Sequence, residues 1–159
     1  MSSHNETLRG LFPDALAVTR PVTVAVGERF EVVTLPEVHA RAVLARFAYR
    51  RPHPVGAAVA DNGRWSLVLP TGSEEPRWPS VAHFQNKGWL RIPPVSSSGP
   101  GTLHWARFGN EVGCAFTAPL LLNFALAARE SVSVAGGAYP SASRADAEPG
   151  PLSRIPVRA

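Results

Sequence analysis

The chain has 159 residues, 45% of them hydrophobic, and a formal net charge of +4. That length suits one domain with a core of its own, and that apolar content supports a folded protein. Cys114 is the single cysteine, which excludes a disulfide framework and a thiolate metal site, and no apolar run reaches the roughly 18 residues of a membrane span.

No signal-peptide pattern opens the sequence, so a cytoplasmic protein with no membrane partner is expected. The basic residues are almost all Arg, with Lys87 the only lysine. A GC-rich genome explains that bias as readily as an acidic partner does.

Residues 1–19 read as a loose N-terminal segment, in which Leu11, Phe12, Leu16 and Val18 could cover one edge of a core as a short turn or helix. A domain over 20–135 follows. Pro21–Val26 alternates β-branched and small residues and reads as a strand, and Arg29–Leu35 reads as the next. The Gly27-Glu28 turn between them is short enough for a hairpin. Pro36 then sits at the start of a helix from Glu37 to about Tyr49, stopped by Pro52. Its apolar face is expected at Val38, Ala42, Ala45 and Tyr49, broadened by Val43, Leu44 and Phe47. Arg41, Arg46, Arg50 and Arg51 could touch phosphates, or could form a solvated face with a favourable charge at the helix C-terminus.

Gly56–Ala60 and Trp65–Leu69 flank an Asp61-Asn62-Gly63 turn, which is a hairpin signal. Residues 71–80 read as a loop, Val81–Phe84 as a short edge strand, Gly88–Ile92 as a better strand, and Leu103–Phe108 as another after a flexible 96–102 connector. Thr117 and Pro119 mark the start of a Leu- and Ala-rich helix over about 119–130. From 136 to 159 the composition is that of a disordered tail. The expected fold is therefore α+β: one mainly antiparallel sheet with one or two packed helices. Phe30, Val32, Leu44, Phe47, Val59, Leu67, Leu69 and Ile92 are the expected core.

Chemistry-bearing motifs are sparse. There is no GxxxxGK phosphate loop, no GxGxxG and no GxSxG elbow. The five histidines show no metal-ligand spacing, and neither Asp61 in its turn nor the loop carboxylates Glu74 and Glu75 belong to a DxD or DxE pair. Trp65, Trp78, Trp89 and Trp105 could offer stacking platforms for bases, or could simply pack in and around the core.

The blocks GERFEVVTLPEVHARAVLARF, GAAVADNGRWSLVLPTG and KGWLRIPP, in that order and spacing over about residues 20–131, resemble the N-terminal domain of bifunctional DNA primase/polymerases. The resemblance is closest to the short, divergent actinobacterial versions. In the active family the first block ends in a metal-binding DxD pair, and here Thr34-Leu35-Pro36 stands there. A GGxH-type block is replaced by Asn62-Gly63-Arg64-Trp65, and a third acidic position by Ala82 or His83. Metal-assisted nucleotidyl transfer needs carboxylates to hold Mg²⁺, which Thr, Leu and Pro do not replace. The degenerate positions Thr34, Pro36, Trp65 and His83 therefore imply a non-catalytic module with no cofactor. In that reading DNA, a nucleotide or a replication protein is the partner, and Arg64, Trp65, Lys87 and Arg91 are the residues in contact with nucleic acid or nucleotide. Two alternatives stand beside it: an altered nucleotidyltransferase that uses Mg²⁺ through Glu37 and Asp61, and a soluble scaffold without a nucleic-acid role.

Overall fold

The computed structural model describes residues 7–75, 77–97 and 101–135. The predicted tail, the first six residues and the middle of the 96–102 connector lie outside the described residues. The elements are α1 (Leu8–Leu11), α2 (Pro13–Ala17), β1 (Val22–Ala25), β2 (Glu31–Pro36), α3 (Glu37–Arg46), β3 (Ala57–Asp61), β4 (Arg64–Leu69), β5 (His83–Gln85), β6 (Trp89–Ile92), β7 (Leu103–Phe108) and α4 (Pro119–Ala135). The fold is α+β with antiparallel pairing throughout, as the sequence predicts.

The strands form two sheets, where one was expected. Five strands run in the order β5-β2-β4-β3-β7, and β1 pairs with β6 as a separate ribbon. The predicted β1–β2 hairpin does not form, for a definite reason. Both edges of β2 are already occupied, by β4 on one side and β5 on the other. The chain instead turns at Gly27, whose N–H donates to the Phe30 carbonyl (2.8 Å), while the Val26 N–H donates to the Gly88 carbonyl (2.9 Å). Gly27 has φ 112° and lies so close to the Asn86 carbonyl that a Cβ would sit 2.1 Å from its oxygen, so only glycine fits there. The β3–β4 hairpin forms as expected: Asn62 and Gly63 take φ 48° and 76°, and Asp61 pairs with Arg64.

Side-chain alternation gives the large sheet two buried faces. On one, Val33, Leu35, Ala58, Ala60, Trp65 and Leu67 meet Val43 and Phe47 of the α3 region and Leu122 and Leu126 of α4. On the other, Val32, Val59, Val68 and Trp105 meet Phe12, Phe30 and Ile92. Leu11 and Phe12, which the sequence offers as cover for one edge of the core within an otherwise loose segment, pack into the core from α1 and its junction with α2. Phe12 is fully buried and meets the Phe30 ring edge-on at 5.0 Å.

The buried face of α3 differs from the predicted one. Ala40, Val43 and Phe47 point inward, whereas Val38 and Tyr49 are 65% and 99% exposed. Leu44 is half-buried at the margin of the core, and the other seven expected core residues are buried. Alanine and valine occur all round this helix, so more than one stripe satisfies the 3.6-residue period. The helix also ends earlier than predicted, at Arg46, where Phe47 departs from helical geometry with ψ 14°.

A short strap before α4 is tied to the sheet. The Ala57 N–H donates to the Ala115 carbonyl (2.8 Å), Thr117 N–H to Val68 (2.7 Å) and Ala118 N–H to Pro54 (2.8 Å). The Thr117 hydroxyl, predicted to cap the helix, accepts from the buried Gly56 N–H at 3.0 Å. Gly56 has no room for a side chain, because a Cβ would lie 2.2 Å from the Ala115 oxygen.

This packing predicts that Leu122→Ala costs about 2–5 kcal/mol in chemical denaturation, the range for truncating a fully buried leucine. Tyr49→Ala should change stability by less than about 0.5 kcal/mol, as expected of an exposed side chain. Equal costs for the two would contradict the α3 and α4 packing.

Candidate nucleic-acid interface

The sequence-derived site residues land on different parts of the sheet. Thr34 lies in one rung with His83 of β5 and Ser66 of β4, and its hydroxyl is 2.9 Å from that of Ser66. Pro36 ends β2 opposite Arg64, which in turn pairs with Asp61. Strand alternation puts Thr34, Pro36, Ser66, Arg64 and Asp61 on one face. This face offers hydroxyls, one imidazole and one carboxylate, a poor donor set for Mg²⁺.

Trp65 is opposite Leu35 and so points the other way, into the helix-side core. It is 5% exposed, and the Arg41 guanidinium lies 5.3 Å from its ring centroid. Trp65 is therefore neither a surface platform for a base nor a neighbour of the Thr34 face.

Glu37 and Asp61, the alternative carboxylate pair, are held apart. Pro36 and Asp61 flank Arg64 from two different strands, a separation of roughly 10 Å at the usual strand spacing. Glu37 begins α3, and its carboxylate accepts from Arg41 Nε at 2.7 Å. Among the described residues, no group of three or more His, Cys, Asp and Glu side chains could hold a metal ion.

The four tryptophans separate clearly. Trp105 is buried, and its indole N–H donates to the Pro93 carbonyl at 3.0 Å. Trp78 stacks on Phe84 with ring centroids 6.0 Å apart, and its indole N–H donates to Ser73 at 3.0 Å. Trp89 is 69% exposed. Among the described residues it has no hydrogen-bond or ring partner.

The β1–β6 ribbon explains that exposure. Leu90 and Ile92 face the core, so Trp89 and Arg91 face out, opposite Ala25 and Thr23. Lys87 is exposed in the turn that enters β6, two residues before Trp89. The outer face therefore carries an indole with a cation on either side in sequence. Of the four residues the sequence offers as nucleic-acid contacts, Lys87 and Arg91 lie on this ribbon. Arg64 is exposed on the β3–β4 hairpin, a different element. The alternation Trp-Leu-Arg-Ile, with apolar residues at the even positions, is the sequence signal that separates Trp89 from the core tryptophans.

A cleft of about 870 Å³ opens where the strap meets residues 50–54 and 70–73. Its walls are mainly apolar, including Pro54, Phe116, Pro119 and Leu120, with Arg50 and Arg51 beside them. His53, itself buried, is part of its lining. Its Nδ1 accepts from the Val55 N–H (3.1 Å), which leaves the proton on Nε2, 3.4 Å from the Leu44 carbonyl. Burial, reinforced by the nearby Arg107 charge, lowers its pKa below the ordinary value of 6.5. The adjoining Glu111 carboxyl is held below its ordinary range, first by a backbone hydrogen bond of its own residue and further by the His53 amide and Arg51.

Comparison with known protein families, with curated proteins and with solved structures finds no match for this chain.

The His53 environment predicts a pH dependence with a definite sign. The folded-state pKa is lowered, so the unfolded chain binds the proton more readily. The contribution of His53 to stability is then complete above about pH 6.5 and is lost as pH falls from there through the folded pKa. Thermal unfolding followed from pH 7.5 down to about 5.5 should show a declining Tm, and His53→Gln should flatten that slope. An unchanged slope in the variant would contradict the assignment.

Proposed function

We propose that this chain is a non-catalytic, primase/polymerase-like module that holds single-stranded nucleic acid against the outer face of the β1–β6 ribbon. The observation that carries the proposal is Trp89, a large exposed indole on a strand, with Lys87 and Arg91 two residues to either side. A base stacks on an open aromatic face with about 1–3 kcal/mol of stabilisation, whatever its identity. Flanking cations contact phosphates and release counterions, which makes the binding weaken with salt. Single strands fit this surface better than duplex, because a paired and stacked base has no free face to give Trp89.

The non-catalytic part of the proposal rests on the residues at the positions that hold metal in the family the sequence resembles. Thr34, Ser66 and His83 supply hydroxyls and an imidazole there, and Glu37 is occupied by Arg41. A nucleotidyltransferase built on Glu37 and Asp61 would have to break the Arg41 pair and close the two-strand gap before it could bind Mg²⁺.

Fluorescence anisotropy with a labelled oligothymidine tests the proposal. Affinity should fall steeply between roughly 50 and 200 mM salt. Trp89→Ala should weaken binding about 5- to 150-fold, the equivalent of one lost stacked base. Arg91→Ala should lower the salt slope by about one. Binding that ignores both substitutions would overturn the ribbon as the interface, and primer extension with Mg²⁺ or Mn²⁺ would overturn the non-catalytic reading.

A further inference from the structure

A second cavity, about 390 Å³, lies beside His53 and is lined by Leu44, Ala48, Arg51, His53, Arg107 and Glu111. Arg107 reaches it from β7, opposite Ala58 and next to the register shift between Ala58 and Val59. A bulge of this kind re-aims the side chains that follow it. Among the described residues the Arg107 guanidinium bonds two backbone carbonyls, both at long range: Nε to Gly56 at 3.4 Å and an Nη to Val55 at 3.3 Å. Arg107 is half-buried, and among the described residues it makes no salt bridge.

Arginine offers five N–H donors in a planar fork, so most of this donor capacity is unused. The carboxylate that shares the cavity, Glu111, acts on Arg107 through its charge but makes its direct contacts elsewhere. Glu111 accepts from the His53 N–H at 2.8 Å and lies 3.8 Å from Arg51 Nε. His53 is neutral in the tautomer its hydrogen bonds select, so the lining holds two guanidiniums against one carboxylate.

We propose that this cavity binds a small organic molecule through an oxyanion, phosphate or carboxylate, seated on the Arg107 fork. The oxyanion supplies the acceptors that Arg107 lacks, in the two-bond geometry that guanidinium favours. Leu44 and Ala48 form the apolar wall for the remainder of the ligand, since the cavity exceeds what a bare oxyanion fills. The pocket lies on the helix-side face of the sheet and Trp89 on the outer ribbon, so this site is independent of the nucleic-acid surface.

Thermal unfolding of the full chain in sodium phosphate, sodium acetate and sodium chloride at matched ionic strength provides the test. A ligand that binds only the folded state raises Tm by mass action, here by roughly 2–5 °C over chloride at saturating concentration. A larger rise in phosphate assigns a phosphate-bearing ligand, and an equal or larger rise in acetate assigns a carboxylate. Arg107→Gln should abolish the rise, whereas Arg91→Ala should keep it. Should Arg107→Gln fail to fold, Ala48→Glu serves in its place. This exposed position lines the cavity, so an internal carboxylate there should raise Tm in chloride and remove the response to added anion. No rise over chloride in the wild type, or a full rise in Arg107→Gln or Ala48→Glu, would overturn the proposal.

Discussion

The strap at Ala115–Ala118 is the constraint on which the rest of the structure depends. It closes four hydrogen bonds onto the β3 and β4 ends and their approaches: to Pro54, Gly56, Ala57 and Val68. These bonds satisfy backbone groups that would otherwise be buried without partners, at a cost of about 1–3 kcal/mol each. They also fix where α4 begins. Leu122, Ala125 and Leu126 can fill the helix-side core only because α4 starts against this end of the sheet. The larger of the two cavities borders this seam, with Pro54, Phe116, Thr117 and Ala118 in its lining, so its shape follows from a junction made for packing.

A second anchor operates at the neighbouring loop. Glu31 is a buried carboxylate that accepts from the backbone N–H groups of Gly72 (3.1 Å) and Ser73 (2.7 Å). The Ser73 carbonyl then holds the Trp78 indole, which stacks on Phe84. A buried charge is tolerated when hydrogen bonds replace its water, and here they order a loop rich in glycine and proline. The protein thus secures Trp65, Trp78 and Trp105 by packing or hydrogen bonding, while Trp89 stays open to solvent. The Trp89 indole, on the outer face of the two-stranded ribbon, belongs to neither core cluster.

Much of the fold was legible because local signals agreed. The Asp-Asn-Gly turn, the prolines at strand ends and the apolar runs place β2, β3, β4 and β6 to within a residue or two. What failed depended on distant partners. Nothing in residues 22–35 reveals that β4 and β5 will fill both edges of β2 and send β1 to β6. The α3 face was misread because small apolar residues satisfy the helical period on more than one side. Of the proposed contact residues, Lys87 and Arg91 stand among the candidates drawn from the sequence, and strand alternation separates Trp89 from the core tryptophans. Trp65 was misplaced because its strand phase, opposite Leu35, was set aside in favour of its place in a motif. The Arg107 cavity was not legible at all, since it needs a register shift in β7 and residues from three separate segments.

Heteronuclear NMR of the four indole N–H groups gives the most direct test of the central claim, that Trp89 is the contact for single-stranded nucleic acid. Each tryptophan contributes one signal, assignable by single substitution. On titration with unlabelled oligothymidine the Trp89 signal should shift or broaden, while those of Trp78 and Trp105, whose N–H groups are bonded to Ser73 and Pro93, should stay in place. A Trp89 signal that does not move at saturating oligonucleotide, with any other indole shifting instead, would contradict the account.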